Sequence, residues 1–207
     1  MRLEPHDNKD DAYRAWLNET ECDLLRDFYA GKQKLAILLM LDSGLRSKET
    51  TRVTLADVRR LDSDEEAYKL GVYGKDTTGE LDDGKWRETP ITTAAREKIE
   101  TLASMKGQTQ HSTPIDVTER TVQQWVEDAR QELADETGDD DWHEVSAHDL
   151  RRTWATRTYY RLHASDVAKS VVMAWGGWSK QKTFEQNYLG REPDDLAAKM
   201  METAGLR

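Results

Sequence analysis

The segment LAILLML, Leu35 to Leu41, is the strongest constraint on how this chain can fold. It is the longest apolar run in a chain of which 37% is hydrophobic and 34% charged, so the centre of the core has few other candidates. A bilayer needs about 20 consecutive apolar residues, and this run falls far short. It belongs inside a protein. With Lys32 ahead of it and Gly44 behind, it predicts a helix over 32–43, central to the core and closed by the glycine. At 207 residues the chain is long enough for one good core.

On either side the pattern becomes amphipathic. NETECDLLRDFYAG predicts a capped helix, with Asn18 or Thr20 as cap, Leu24, Leu25 and Phe28 on one face, and Gly31 as its end. Residues 1–15, beginning MRLEPHDNKDD, read as a polar leader unlike a signal peptide. SKETTRVTL suggests a short helix. The stretches DVRRL, AYKLGVY and KWRETPI alternate like strands, the last two separated by the turn-rich GKDTTGELDDG. They predict a small three-stranded antiparallel sheet with a long hairpin tip. From Thr92 onward the period is helical, over about 93–105, 118–136, 147–161, 165–175, 179–188 and 194–203. The expected fold class is mainly α (α+β): one helical domain over 16–191 carrying a minor sheet, then a tail helix within 192–207.

The chain holds 40 Asp and Glu against 30 Lys and Arg, a formal net charge of -10. TGDDDW, LDSDEE and EPDDL put carboxylates in loops and helix starts, as expected of a surface adapted to high salt, from a halophilic source. Cys22 is the only cysteine, which excludes an internal disulfide and suits a reducing cytoplasm. The five histidines and this cysteine show no metal-ligand spacing, so no metal and no cofactor are expected.

Against that acidity, SAHDLRRTWATR gathers His148, Arg151, Arg152 and Arg157, with Arg161 just beyond. His148 and Arg151, three apart, share a helical face. Both can donate, which suits an oxyanion such as phosphate. That spacing alone is common. Three further stretches add to it. LLMLDSGLRSKE sets Arg46 after the buried helix and a glycine turn, with Glu49 three residues on. YGKDTTGELDDGKWRETPI carries lysines at the mouth of the hairpin, and WGGWSKQKTFEQNYLG brings Tyr188 ten residues after Trp178.

Taken in order, these stretches resemble the boxes of the tyrosine recombinase (phage-type integrase) family: G-L-R-x-x-E, a hairpin G-K, H-x-L-R, G-G-[HW] and a terminal tyrosine. The resemblance runs from about Leu17 to Leu189. It implies a helical DNA breaking and rejoining domain, acting as a site-specific recombinase through a 3′-phosphotyrosine, without metal or ATP. It also implies roles. Arg46 is the first catalytic arginine and Glu49 its neighbour. Lys75 is the hairpin lysine, His148 and Arg151 are the paired box, and Tyr188 is the nucleophile. Trp178 stands where histidine is commoner, and it keeps an indole N–H donor. The lysine box is stretched by DTTGELDD, which leaves Lys85 as a rival to Lys75.

The implied partner is double-stranded DNA, with self-assembly on it from dimer to tetramer, and neither a membrane nor a small-molecule substrate. In TERTVQQWVEDARQEL, Thr118 is the cap and Val122, Trp125, Val126 and Ala129 face the core. Arg120, Gln123 and Gln124 lie elsewhere on that helix, which in the family tracks the major groove, where such side chains read bases. Arg152, Arg157 and Arg161 are expected to divide between neighbouring phosphates and internal carboxylates. The tail stripe Leu196, Ala197, Met200 and Met201 docks either on its own domain or on a neighbouring protomer. Arg46 comes so early in the sequence that no core-binding domain is expected ahead of it here. Two alternatives stay open: a catalytically inactive DNA-binding factor of this fold, and a type IB topoisomerase.

Overall fold

The computed structural model describes residues 1–6, 12–74, 85–105, 109–162 and 165–206. The N-terminal segment, expected as a leader, forms two antiparallel strands, β1 (Arg2–Pro5) and β2 (Tyr13–Trp16), with Arg2 opposite Trp16. A polar stretch becomes strand here because a distant helix supplies its partners. The Ala15 amide donates to Asp149 at 3.0 Å, the Leu17 amide to Thr153 at 3.0 Å, and the Trp16 indole to Thr156 at 3.0 Å. Positions 149, 153 and 156 lie on one helical face.

Asn18 caps α1 (Glu19–Phe28) in a capping box with Glu21. The helix stops at Phe28, and Gly31, expected as its end, instead opens α2 (Gly31–Ser43) with φ at +56°. Residues Leu35 to Leu41 are buried all round, as the apolar run demands. Each such side chain contributes about 1.5–3 kcal/mol of burial. Gly44 ends α2 at φ +68°, and a Cβ there would run into the Trp154 ring. Both the backbone and the packing therefore require glycine.

The short α3 (Ser47–Thr50) follows, then β3 (Val58–Arg60), β4 (Tyr68–Tyr73) and β5 (Trp86–Ile91) in the order β3-β4-β5, antiparallel throughout. Tyr73 faces Trp86 at the hairpin mouth. After α4 (Thr93–Met105), Thr118 caps α5 (Glu119–Thr137) by accepting from the Thr121 amide. Ser146 and Asp149 form a capping box that opens α6 (Ala147–Arg161), which packs along α2. Then come α7 (Ala168–Gly176), α8 (Gln181–Asn187) and α9 (Asp194–Thr203). The tail helix is anchored on its own domain at its start, where Asp195 pairs with Arg157 and Leu196 is buried, while Met201 is exposed. Among the described residues no helix is long and apolar enough to cross a membrane.

Two apolar clusters result. The larger surrounds α2 and takes in α1, α4, α5 and the inner face of the sheet. The smaller joins Trp154, Ala155, Val172, Trp178, Phe184 and Tyr188. This second cluster fixes the side chains discussed next.

Candidate active site

Arg46 follows the Gly44 turn at the N-cap of α3, so its guanidinium reaches out from the end of the core helix. Glu49, one helical turn on, accepts from the Arg46 main chain at 2.8 Å and from its Nη1 at 2.7 Å. Glu49 is itself buried. Burial raises its pKa, but the hydrogen bonds and charge of Arg87, then the charges of Arg151 and Arg46, outweigh that and hold it at about 2. It is a carboxylate at any working pH.

Arg151 is completely buried on α6. Among the described residues no carboxylate hydrogen-bonds it: Nη1 donates to the Gly44 carbonyl, Nη2 to the Gly176 carbonyl at 2.5 Å, and Glu49 Oε2 stands 3.9 Å away. Two helix ends therefore hold the fork through exposed carbonyls, the groups a helix C-terminus leaves free. Burial first, then the charge of Arg46, lowers its pKa to about 9, with Glu49 opposing. Its guanidinium carbon lies 4.4 Å from the Trp178 ring centre and 5.7 Å from that of Tyr188. Arg151 Nε and Trp178 Nε1 are buried donors without a hydrogen-bond partner among the described residues. Such orphans cost about 1–3 kcal/mol each.

Tyr188 follows the last turn of α8, beside Trp178 at 4.5 Å and His148 at 5.2 Å between ring centres. Its carbonyl accepts from Thr156 Oγ1 at 2.7 Å, which pins the segment to α6. Burial, then the charges of Arg152, Arg151 and Arg46, lower the His148 pKa to about 3. The imidazole is thus neutral and able to accept a proton. His148, Arg46 and Gln123 line one cleft of about 310 Å³, together with Glu119, Glu127 and Arg130.

The fold therefore brings Arg46, Glu49, His148, Arg151, Trp178 and Tyr188 into one neighbourhood from four separate sequence boxes. Lys75 lies outside the described residues. Its neighbour Gly74 does not: a Cβ there would stand 3.4 Å from Glu49 Oε1, and its amide donates to the Lys85 carbonyl at 2.9 Å. Lys85 is exposed at the hairpin mouth. On α5, Arg120 is exposed but held by Glu127 at 2.6 and 2.8 Å and by Gln124 at 3.0 Å, and Gln124 donates to Asp128 at 2.8 Å.

Arg152 takes the internal-carboxylate side of the expected division. Rather than facing a neighbouring phosphate, it is buried, with Nε on the Asn187 carbonyl at 2.7 Å and Nη1 paired with Asp149. An acid three residues back and the open end of α8 capture it. Arg157 and Arg161 do go to carboxylates, the first to Asp195 and Glu19, the second to Glu19. Sequence reasoning missed Arg87, which grips Glu49 with both ends of its fork at 3.1 and 2.8 Å. The signal was there. In KWRETPI, Arg87 shares the inward register with Thr89 and Ile91, and a cation on a core face needs a buried anion.

Comparison with known proteins extends the geometry. The profile of the phage integrase family matches residues 15–193. No curated protein matches the sequence. Among solved structures, the crystal structure of XerA recombinase superimposes with a TM-score of 0.65 at 16% identity, covering 92% of this chain and 65% of that one. XerH site-specific recombinase bound to its palindromic difH substrate, a post-cleavage complex, gives 0.60 at 18%, covering 91% and 52%. The Tn1549 transposon integrase in complex with transposon right end DNA gives 0.58 at 15%, covering 96% and 68%. The chain thus spans between about half and two thirds of the length of the recombinases it resembles.

Proposed function

Because the chain belongs to the phage integrase family, we propose that it is a site-specific DNA recombinase that cuts and rejoins DNA through a covalent 3′-phosphotyrosine. The observation that carries this reading is the convergence on Tyr188 of a neutral histidine and a buried arginine, at 5.2 and 5.7 Å. The Tyr188 oxygen attacks phosphorus, and the 5′ oxygen leaves. His148 starts neutral, because burial and three arginines resist its protonation, and it takes the phenol proton once the negative charge of the bound phosphate offsets those arginines. Arg46 and Arg151 stabilise the charge spread over the non-bridging oxygens, where planar guanidiniums match two oxygens at once. Trp178 adds a neutral donor. A hairpin lysine, Lys75 or Lys85, protonates the 5′ oxygen. Religation reverses these steps with the hydroxyl of another strand, so the bond energy is conserved and no ATP is consumed.

The partner in this reading is double-stranded DNA, with copies of the chain assembling on it. The XerH and Tn1549 structures, each holding its own DNA, support that partner by likeness of fold. In the same reading Gln123, which lines the cleft with Arg46, faces the DNA, and Arg120 and Gln124 must exchange their Glu127 and Asp128 partners for it. A nicked duplex that traps the covalent intermediate tests the proposal. The parent should give an SDS-resistant adduct, and Tyr188→Phe should give none while still binding DNA. An adduct with the phenylalanine variant would dismiss Tyr188 as nucleophile.

A further inference from the structure

Arg87 is a buried cation to which the sequence boxes assign no role, and it joins Glu49 to the turn that leads to Trp178. Its fork holds both oxygens of Glu49, and its Nε donates to the Trp175 carbonyl at 2.8 Å. A Cβ on Gly177 would lie 2.9 Å from Arg87 Cδ, so the turn leading to Trp178 closes directly on this side chain. Gly74, at the far side of the hairpin, abuts the same fork, 3.2 Å from Nη1 by the same measure.

Glu49 is the shared counter-ion of this group. It also takes the Arg46 main chain and Nη1, and it stands 3.9 Å from Arg151. A buried carboxylate between Arg46 and Arg151 alone would cancel one of their two charges and occupy the forks an oxyanion needs. With Arg87 added, three guanidiniums share one carboxylate and two positive charges remain. We propose that Arg87 is a positioning residue that neutralises Glu49, leaving Arg46 and Arg151 electrostatically available to the phosphoryl group of the substrate. The identity of that substrate rests on the recombinase reading; the charge balance does not. The low pKa of Glu49 agrees, since Arg87 supplies the largest effects opposing burial. The competing role is purely geometric, with Arg87 serving only to tie down the Trp175 carbonyl.

The whole chain, with inorganic phosphate as probe, separates the two. Phosphate affinity is read by calorimetry or thermal stabilisation against chloride at matched ionic strength, and Arg46→Gln confirms where the anion sits. Arg87→Met should weaken phosphate binding on the order of tenfold, as expected when about one unit of charge leaves a site of intermediate dielectric. Adding Glu49→Gln in the Arg87→Met background should restore binding to near the parent, because it removes the uncompensated carboxylate. Arg87→Lys, which keeps the charge without the fork, should retain most of it. A geometric role predicts the reverse: both Arg87→Lys and the double variant stay as weak as Arg87→Met. That pattern, an Arg87→Met protein that binds like the parent, or a parent indifferent to phosphate would each overturn the proposal. Adduct formation on the nicked duplex is followed in parallel. If the parent forms no adduct while the phosphate pattern holds, the recombinase reading falls and the role of Arg87 stands.

Discussion

Arg151 and Arg157 lie on the same helix, six residues apart, and are 0% and 4% exposed, yet the protein treats them in opposite ways. Arg157 is paired with Asp195 and Glu19, and these carboxylates more than offset its burial and raise its pKa. Among the described residues, Arg151 has only main-chain carbonyls within hydrogen-bond distance, and burial lowers its pKa to about 9. The far end of α6 is a neutralised structural clasp that ties α1 and α9 together. At the near end Arg151 keeps its charge unspent. An acidic chain concentrates arginines on one helix because three of them, Arg152, Arg157 and Arg161, hold the fold through carboxylates, while Arg151 carries positive charge into the interior.

The largest effect should come from breaking the near end. Arg151→Gln keeps a donor but removes the charge, and it should slow covalent cleavage by about 10²–10³-fold, the usual loss for one transition-state donor. The double-stranded DNA affinity should change far less. If a single-turnover assay on the nicked duplex finds cleavage within a fewfold of the parent, the contrast between the two arginines has no catalytic meaning.

Breaking the far end should spare the chemistry and cost stability. Arg157→Met loses two ion pairs whose carboxylates are partly solvated, so the expected cost is about 1–2 kcal/mol in urea unfolding. Its pH signature sharpens the comparison. Arg157 is among the groups holding the Asp195 and Glu19 carboxyls below their usual 3.8 and 4.5. The stability they contribute is therefore present above those values and lost as pH falls through the lower folded ones. Arg157→Met should flatten that acid loss, and an unchanged acid limb would remove the clasp from the account.

The smallest expected change concerns His148, which borders the unspent charge. Its imidazole should keep its neutral NMR shifts from about pH 8 to about pH 5, although an unperturbed histidine titrates near 6.5. Because the folded pKa is lowered to about 3, the stability this residue contributes is complete above 6.5 and declines as pH falls below it. A midpoint near 6.5 in the folded protein would show that the arginines do not set its protonation.

How much of this was legible beforehand varies with the distance over which each residue finds its partner. The buried helix, its glycine stop, the three strands and nearly every later helix follow from local periodicity and capping. The N-terminal strand pair did not, because β2 is completed by side chains of α6 more than 130 residues away. Among the expected site residues, Arg46, Glu49, His148, Arg151, Trp178 and Tyr188 do converge, whereas Arg152 turned inward and Arg87 entered unannounced.

The order of the boxes, the residue types able to hold an oxyanion and the spacing of His148 and Arg151 on one face are properties of the chain alone. They depend only on composition and helical geometry. Which arginines keep their charge is another matter. Six residues separate Arg151 from Arg157 on one helix, and nothing local distinguishes a buried guanidinium held by carbonyls from one clasped by carboxylates. Only packing decides, since it brings Asp195 and Glu19 to one end of α6 and the spent end of α2 to the other.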